Sequence, residues 1–114
     1  MNVLEAIRTR RSTRAFKSQA LPPEAIEAIK DAILHSPSGS NAQESHFVIV
    51  QDPVQLRRLK RFAQGLSGQP AAVLVLCSNQ TEALQRGGID TAEVLRFVNL
   101  GITAAYVLLA TQSL

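Results

Sequence analysis

From Phe97 to Leu114 not one side chain carries a charge. A run of that length makes a helix of about 27 Å, and a helix apolar on every side has to be covered on every side. A large core, a partner subunit or a bilayer can provide the cover. The length is near that of a membrane span, but Asn99, Gly101, Thr103, Thr111, Gln112 and Ser113 dilute the apolar character, and no basic flank follows Leu114 to fix a topology. A helix buried in protein, in the core or between subunits, is therefore preferred over an anchor. A membrane-associated basic protein held by Phe97 to Leu114 stays as the third-ranked reading. The whole chain is short: 114 residues, 46% hydrophobic, fit one domain.

Composition narrows the function classes. Aromatic residues make up 4% with no Trp, and the net charge is only +3, so neither a stacking platform nor a basic footprint for nucleic acid is present. The single cysteine, Cys77, excludes an internal disulfide framework and a multi-thiolate metal site. It lies among Val and Leu, where a free thiol behaves as a small buried hydrophobe. The first residues carry an early acid, Glu5, and no long apolar stretch, unlike a secretory signal. A reducing cytoplasm is the expected setting.

Along the chain, Asn2 can cap a short helix with Val3, Leu4 and Ile7 at helical spacing. Pro22 and Pro23 stand at the start of a second helix, whose Ile26, Ile29 and Ile33 form a stripe and whose His35 sits in the last turn as a dipole partner. Ser36 to Asn41 is a loop in which Gly39 permits positive φ. His46 to Val50 predicts a strand. Asp52 caps a helix with Pro53 at its first position, expected to turn Val54, Leu56, Leu59, Phe62 and Ala63 inward and leave Arg57, Arg58, Lys60 and Arg61 solvated. Ala71 to Cys77 reads as a strand buried on both faces. Gln80 to Gly88 reads as irregular, with Asp90 and Glu93 as a capping pair for the last helix.

Two polar stretches carry the chemistry. Arg10, Arg11, Ser12 and Arg14 place three guanidiniums and a hydroxyl within five residues, followed by the apolar Phe16. Guanidiniums present a fixed fork of donors that fits phosphate oxygens in pairs, so the cluster suits an anion, although such turns are often plain solvated surface. The second is Ser36-Pro37-Ser38-Gly39-Ser40-Asn41-Ala42-Gln43, which could alternatively be a turn that caps its own backbone.

Together, in this order and spacing, the two stretches resemble the N-terminal half of the nitroreductase family, FMN-dependent NAD(P)H oxidoreductases, and the resemblance runs from Met1 to the end of the chain. It implies an α+β fold with helices around a small sheet, built as an intertwined homodimer with flavin sites at the subunit interface. On that basis Arg10, Arg11 and Ser12 would bind the FMN phosphate, and Arg14 would reach the ribityl chain and the pyrimidine edge. Pro37, Ser38, Gly39 and Asn41 would approach the cofactor from the partner subunit. Hydride would come from NADH or NADPH, and the acceptor would be a nitroaromatic, a quinone or a related small molecule. No catalytic side chain is implied, because the flavin itself receives and passes the hydride.

The chain departs from the family pattern in three places. Glu44-Ser45 stand where Pro-Trp is common, which removes an aromatic packing element and adds a charge near the loop. The family's later strands and late basic residue have no counterpart, so residues 1–114 read as a single domain truncated at its C-terminus, with an incomplete sheet. The loop from Gly65 to Gln69 does not match a flavin-contacting segment, leaving Gln64 and Gln69 as its candidates. A catalytically degenerate dimerisation or phosphate-binding module on the same scaffold is the alternative function.

Overall fold

The structure, a computed structural model, describes all 114 residues. The elements run α1 (Val3–Thr9), α2 (Pro23–Leu34), β1 (Ser45–Val50), α3 (Pro53–Phe62), β2 (Val73–Ser78), α4 (Gln80–Asp90) and α5 (Arg96–Ser113). Side-chain caps set several of the starts. Asn2, Asp52 and Asn79 each accept a hydrogen bond from the backbone N–H three residues on, at 2.9, 3.0 and 3.0 Å, while α2 starts on Pro23 without such a cap. His35 closes α2, its Nδ1 lying 2.9 Å from the Asp31 carbonyl and 3.2 Å from the Asp31 carboxylate, in keeping with the dipole role.

Strands β1 and β2 pair antiparallel, Ser45 opposite Ser78 and Val50 opposite Val73, and form the entire sheet. Both outer edges are open, as the count of strand candidates implied. The expectation that β2 is buried on both faces fails: every one of its residues is half-exposed. A two-stranded sheet has too few neighbours to enclose a strand.

Helix α5 is the spine. Its Asn99, Thr103 and Val107 lie one turn apart on the buried stripe, and α2 packs along it through Ala25 and Ile29. Helix α1 lies farther along, where Gln112 Nε2 donates to Thr9 Oγ1 at 3.2 Å. The other side of α5 is bare. Phe97, Val98, Gly101, Ala105 and Leu108 are exposed, so within one chain the charge-free helix is not enclosed. Only 11 of 114 residues are buried, and the radius of gyration is 15.3 Å, against about 13 Å for a compact domain of this length.

Two further expectations are corrected. Helix α3 buries no residue: Leu56 and Leu59 are half-buried, Val54 is exposed, and Phe62 is 86% exposed. An apolar stripe predicts which face seeks cover, and here the chain covers it only in part. Residues Gln80 to Gly88 are not irregular but form most of α4, which Asn79 caps. The paired glycines shape this helix rather than close a loop. Gly88 has φ 82°, which kinks it, and a π-type turn over Thr91–Leu95 leads into α5, with Asp90 helical and making no cap.

Gly87 is needed for another reason: a Cβ there would collide with the Thr91 side chain, and Thr91 is fully buried with its hydroxyl on the Gly87 carbonyl at 2.9 Å. Gly→Ala in a helix ordinarily stabilises by about 1 kcal/mol. Gly87→Ala is expected to do the opposite, costing about 1–3 kcal/mol through overpacking. Adding Thr91→Ala should recover part of the loss, both read by denaturant unfolding.

Candidate functional site

The arginine stretch begins where α1 ends. Arg10 caps the helix through its own N–H to the Ala6 carbonyl, then turns extended, so the following residues project away from the helix. Arg11 Nη1 donates to the carbonyls of Arg8 and Arg10 at 3.3 and 3.1 Å, which curls its guanidinium back over the turn. Every ion pair in the molecule lies elsewhere, at Lys30–Glu27, His35–Asp31, His46–Glu82 and Arg86–Glu82. Arg10, Arg11 and Arg14 are thus three cations without an acidic partner, with Ser12 exposed among them. Such a cluster repels itself, and an anion would supply a counter-charge.

A segment outside both polar stretches braces this one. Gly68 has φ 68°, and a Cβ on it would lie 2.6 Å from the Arg14 carbonyl oxygen and 2.9 Å from the Phe16 ring. The Gly65–Gln69 loop therefore packs its backbone directly against Arg14–Phe16. Lys60 Nζ donates to the Gly68 carbonyl at 2.5 Å and ties α3 to the same point. Gly68→Ala should cost about 1–3 kcal/mol, from backbone strain and the contact with Arg14 together; chemical denaturation measures it, and an unchanged midpoint would contradict the brace.

The second stretch sits at the other end of the spine. Pro37, Ser38 and Asn41 line a cavity of about 340 Å³, together with Gln43, Phe47, Asn99 and Thr103 among others. Gly39 is not part of the lining; its N–H is turned inward to Asn99 Oδ1 at 3.0 Å. Nor does Gly39 take positive φ, as its identity suggested. Those conformations fall on Ser40, Asn41 and Gln43, at φ 55°, 51° and 51°. Ser and Asn side chains are short and polar, and Asn in particular tolerates the left-handed region. Ser36 Oγ donates to the Ile33 carbonyl at 2.8 Å, leaving Thr103 Oγ1 to donate to Ser36 Oγ at 2.7 Å.

Glu44 is the clearest departure from the sequence reading. Rather than adding charge to the loop surface it is fully buried, with Oε1 accepting from Asn99 Nδ2 at 2.8 Å and Oε2 without a partner. Asn99 and Thr103 did not stand out as site residues either, although two polar residues four apart inside a charge-free helix signal one side that meets polar backbone.

Within one chain the two stretches stay apart. No hydrogen bond joins residues 10–14 to residues 36–43, and they attach to α5 near Gln112 and near Asn99, about 20 Å apart along the helix axis. A ligand touching both from a single chain would have to span that distance.

The chain is similar to known proteins over nearly its whole length. The nitroreductase family model matches residues 7–113. A Methanothermobacter thermautotrophicus protein named "Putative NADH dehydrogenase/NAD(P)H nitroreductase" is 32% identical over 87 residues, covering 74% of this chain and 46% of that protein. Nitroreductase A from Vibrio parahaemolyticus superposes with a TM-score of 0.83 at 29% identity, over 99% of this chain and 52% of that one. The NADPH:FMN oxidoreductase of Vibrio harveyi, solved in complex with NAD+, gives a TM-score of 0.82 at 27% identity, over 97% and 51%. These likenesses define the class, an α+β fold of nitroreductase type. The chain belongs to the nitroreductase family, and it spans about half the length of the relatives it matches.

Proposed function

We propose that the protein acts as a homodimeric, cytoplasmic, FMN-dependent NAD(P)H oxidoreductase that reduces nitroaromatics, quinones or similar small acceptors. The observation that carries this reading is the set of three guanidiniums at the end of α1, beside Ser12 and without acidic partners, on a nitroreductase fold. Those residues suit a phosphate monoester, which offers several acceptor oxygens and a charge close to −2. The polar cavity behind Pro37, Ser38 and Asn41 suits the hydrogen-bonding edge of a ring system.

In this reading Arg10 and Arg11 hold the phosphate and Ser12 adds a neutral donor. Arg14 sets a fixed positive charge where reduction places negative charge on the cofactor, which favours the reduced form. Pro37, Ser38, Gly39 and Asn41 belong to the loop presented by the partner subunit, with Gly39 acting as its anchor to Asn99 rather than as a contact. FMN, when bound, supplies the hydride chemistry itself, and the chain's part is to bind, orient and tune.

The absorption spectrum of the purified protein with added FMN tests the proposal. Stoichiometric retention of flavin absorbance through gel filtration, with NAD(P)H oxidation, supports it; a colourless protein that refuses FMN removes it. Flavin or phosphate binding without NAD(P)H oxidation selects the degenerate binding module, a reading favoured by the short sheet and the thin core.

A further inference from the structure

The loop that lines the polar cavity holds an improbable shape. Three residues that are not glycine, Ser40, Asn41 and Gln43, take positive φ within four positions. Backbone of that kind persists only where the surroundings over-determine it. Within the loop, Asn41 N–H donates to the Ser38 carbonyl at 2.9 Å, Ala42 N–H to the Gly39 carbonyl at 3.2 Å, and Gln43 N–H to Ser38 Oγ at 3.3 Å. From outside, Arg86 Nη1 donates to the carbonyls of Ala42 and Gln43 at 3.2 and 3.1 Å, and Asn79 N–H to the Glu44 carbonyl at 2.9 Å.

One side chain meets both ends of the turn. Asn99 accepts from Gly39 N–H at 3.0 Å and donates to Glu44 Oε1 at 2.8 Å. Asn99 is 3% exposed and Glu44 fully buried, so the bond between them is shielded from water, while the Gly39 bond is part-buried. The second carboxyl oxygen, Oε2, is enclosed without any partner. A buried acceptor left unsatisfied works against stability, so what Glu44 contributes comes through Oε1 and its bond to Asn99.

We infer that Glu44 and Asn99 form a positioning pair that fixes Ser38–Gln43 in the conformation it offers to a bound ligand. Glu44 lies outside the cavity lining and acts through the loop; Asn99, which also lines the cavity, ties Glu44 to Gly39. The step from loop shape to flavin affinity rests on the proposed FMN binding, whereas the effect on loop order does not. The pair also gives Glu44 a place: a proline there could not reach Asn99, so in this chain a side-chain strut fixes the loop.

The test combines Glu44→Ala, Glu44→Gln and Asn99→Ser in the full chain. Glu44→Gln keeps a side-chain oxygen to accept from Asn99, while Glu44→Ala has none, and serine at position 99 is too short to meet both ends. Amide hydrogen exchange at Asn41, Ala42 and Gln43 reads the loop. Exchange there should rise at least about tenfold in Glu44→Ala and Asn99→Ser, out of proportion to any change in α2 or α5, with Glu44→Gln near wild type. FMN affinity should fall about five- to tenfold in the same two variants and recover in Glu44→Gln. Unchanged loop exchange in Asn99→Ser, or a rise spread evenly over the molecule, overturns the pair, and Asn99→Ser decides the matter alone should Glu44→Ala not fold. If wild type binds no FMN, the flavin reading fails while the exchange data still decide this inference.

Discussion

Replacing Arg10 and Arg11 together by alanine is expected to abolish FMN binding at micromolar cofactor while leaving the fold intact. Both side chains are at the surface, and neither takes part in an ion pair. Arg11 bonds only to carbonyls of its own turn. Their loss should therefore change unfolding free energy by less than about 0.5 kcal/mol, as for surface positions generally. Each charge-assisted contact to a phosphate contributes about 1.5–3 kcal/mol, so the pair should cost roughly a hundredfold or more in affinity. Single replacements should lie between, and Arg11→Lys should recover only part, because an ammonium cannot reproduce the two-pronged geometry. Fluorescence quenching of FMN on binding measures all of these. A double variant that stays fully yellow would place the phosphate elsewhere.

The second large effect concerns α5. Its exposed side presents Phe97, Gly101, Ala105 and Leu108 at helical spacing, and a Cβ on Gly101 would meet nothing within 4 Å. Large residues flanking two small ones let another backbone come close, and in the proposed homodimer a helix of the second copy would lie there. Leu108→Glu would bury an unpaired carboxylate in that seam, which costs about 3–5 kcal/mol and weakens a dimer a hundredfold or more. Sedimentation equilibrium should show wild type as a dimer and Leu108→Glu as a monomer at the same concentration. On the proposed reading, in which the cofactor is held between subunits, the monomer should also lose flavin. A variant that remains dimeric and yellow would move the seam off this helix.

How much of the fold is legible in the sequence depends on what kind of signal each residue carries. Starts set by chemistry at one position were legible: Asn2, Asp52 with Pro53, and Pro23 each mark a helix start where the structure has one. So was the bare length of the charge-free run, which demands one long helix whatever covers it. Burial was less legible. Val54 and Phe62 lie on the apolar side of α3 yet are exposed, because periodicity reports what a face needs and not whether the chain supplies it.

Glycines misled in opposite senses. Gly87 and Gly88 looked like the end of a loop, but one admits the Thr91 side chain and the other kinks a helix. Gly39 resembles the left-handed residue of its turn, but that conformation falls on Ser40, Asn41 and Gln43, while Gly39 is tied to Asn99. The arginine cluster is visible because the closeness of Arg10, Arg11 and Arg14 along the chain is a local property. Glu44 was not, since whether a carboxyl is charged surface or buried strut depends on a residue 55 positions away.

The central claim is that the arginines of one subunit and the loop of the other close a single site, and subunit mixing tests it most directly. One variant carries Arg10→Ala and Arg11→Ala; the other carries Ser38→Trp, which fills the polar cavity. Each alone should bind no FMN. Unfolded and refolded together in equal amounts, they form mixed dimers in which one site has intact arginines from one chain and an intact loop from the other. About a quarter of the wild-type flavin should then return. If wild type binds FMN but the mixture recovers none, both stretches must come from the same chain, and a site shared between subunits is ruled out.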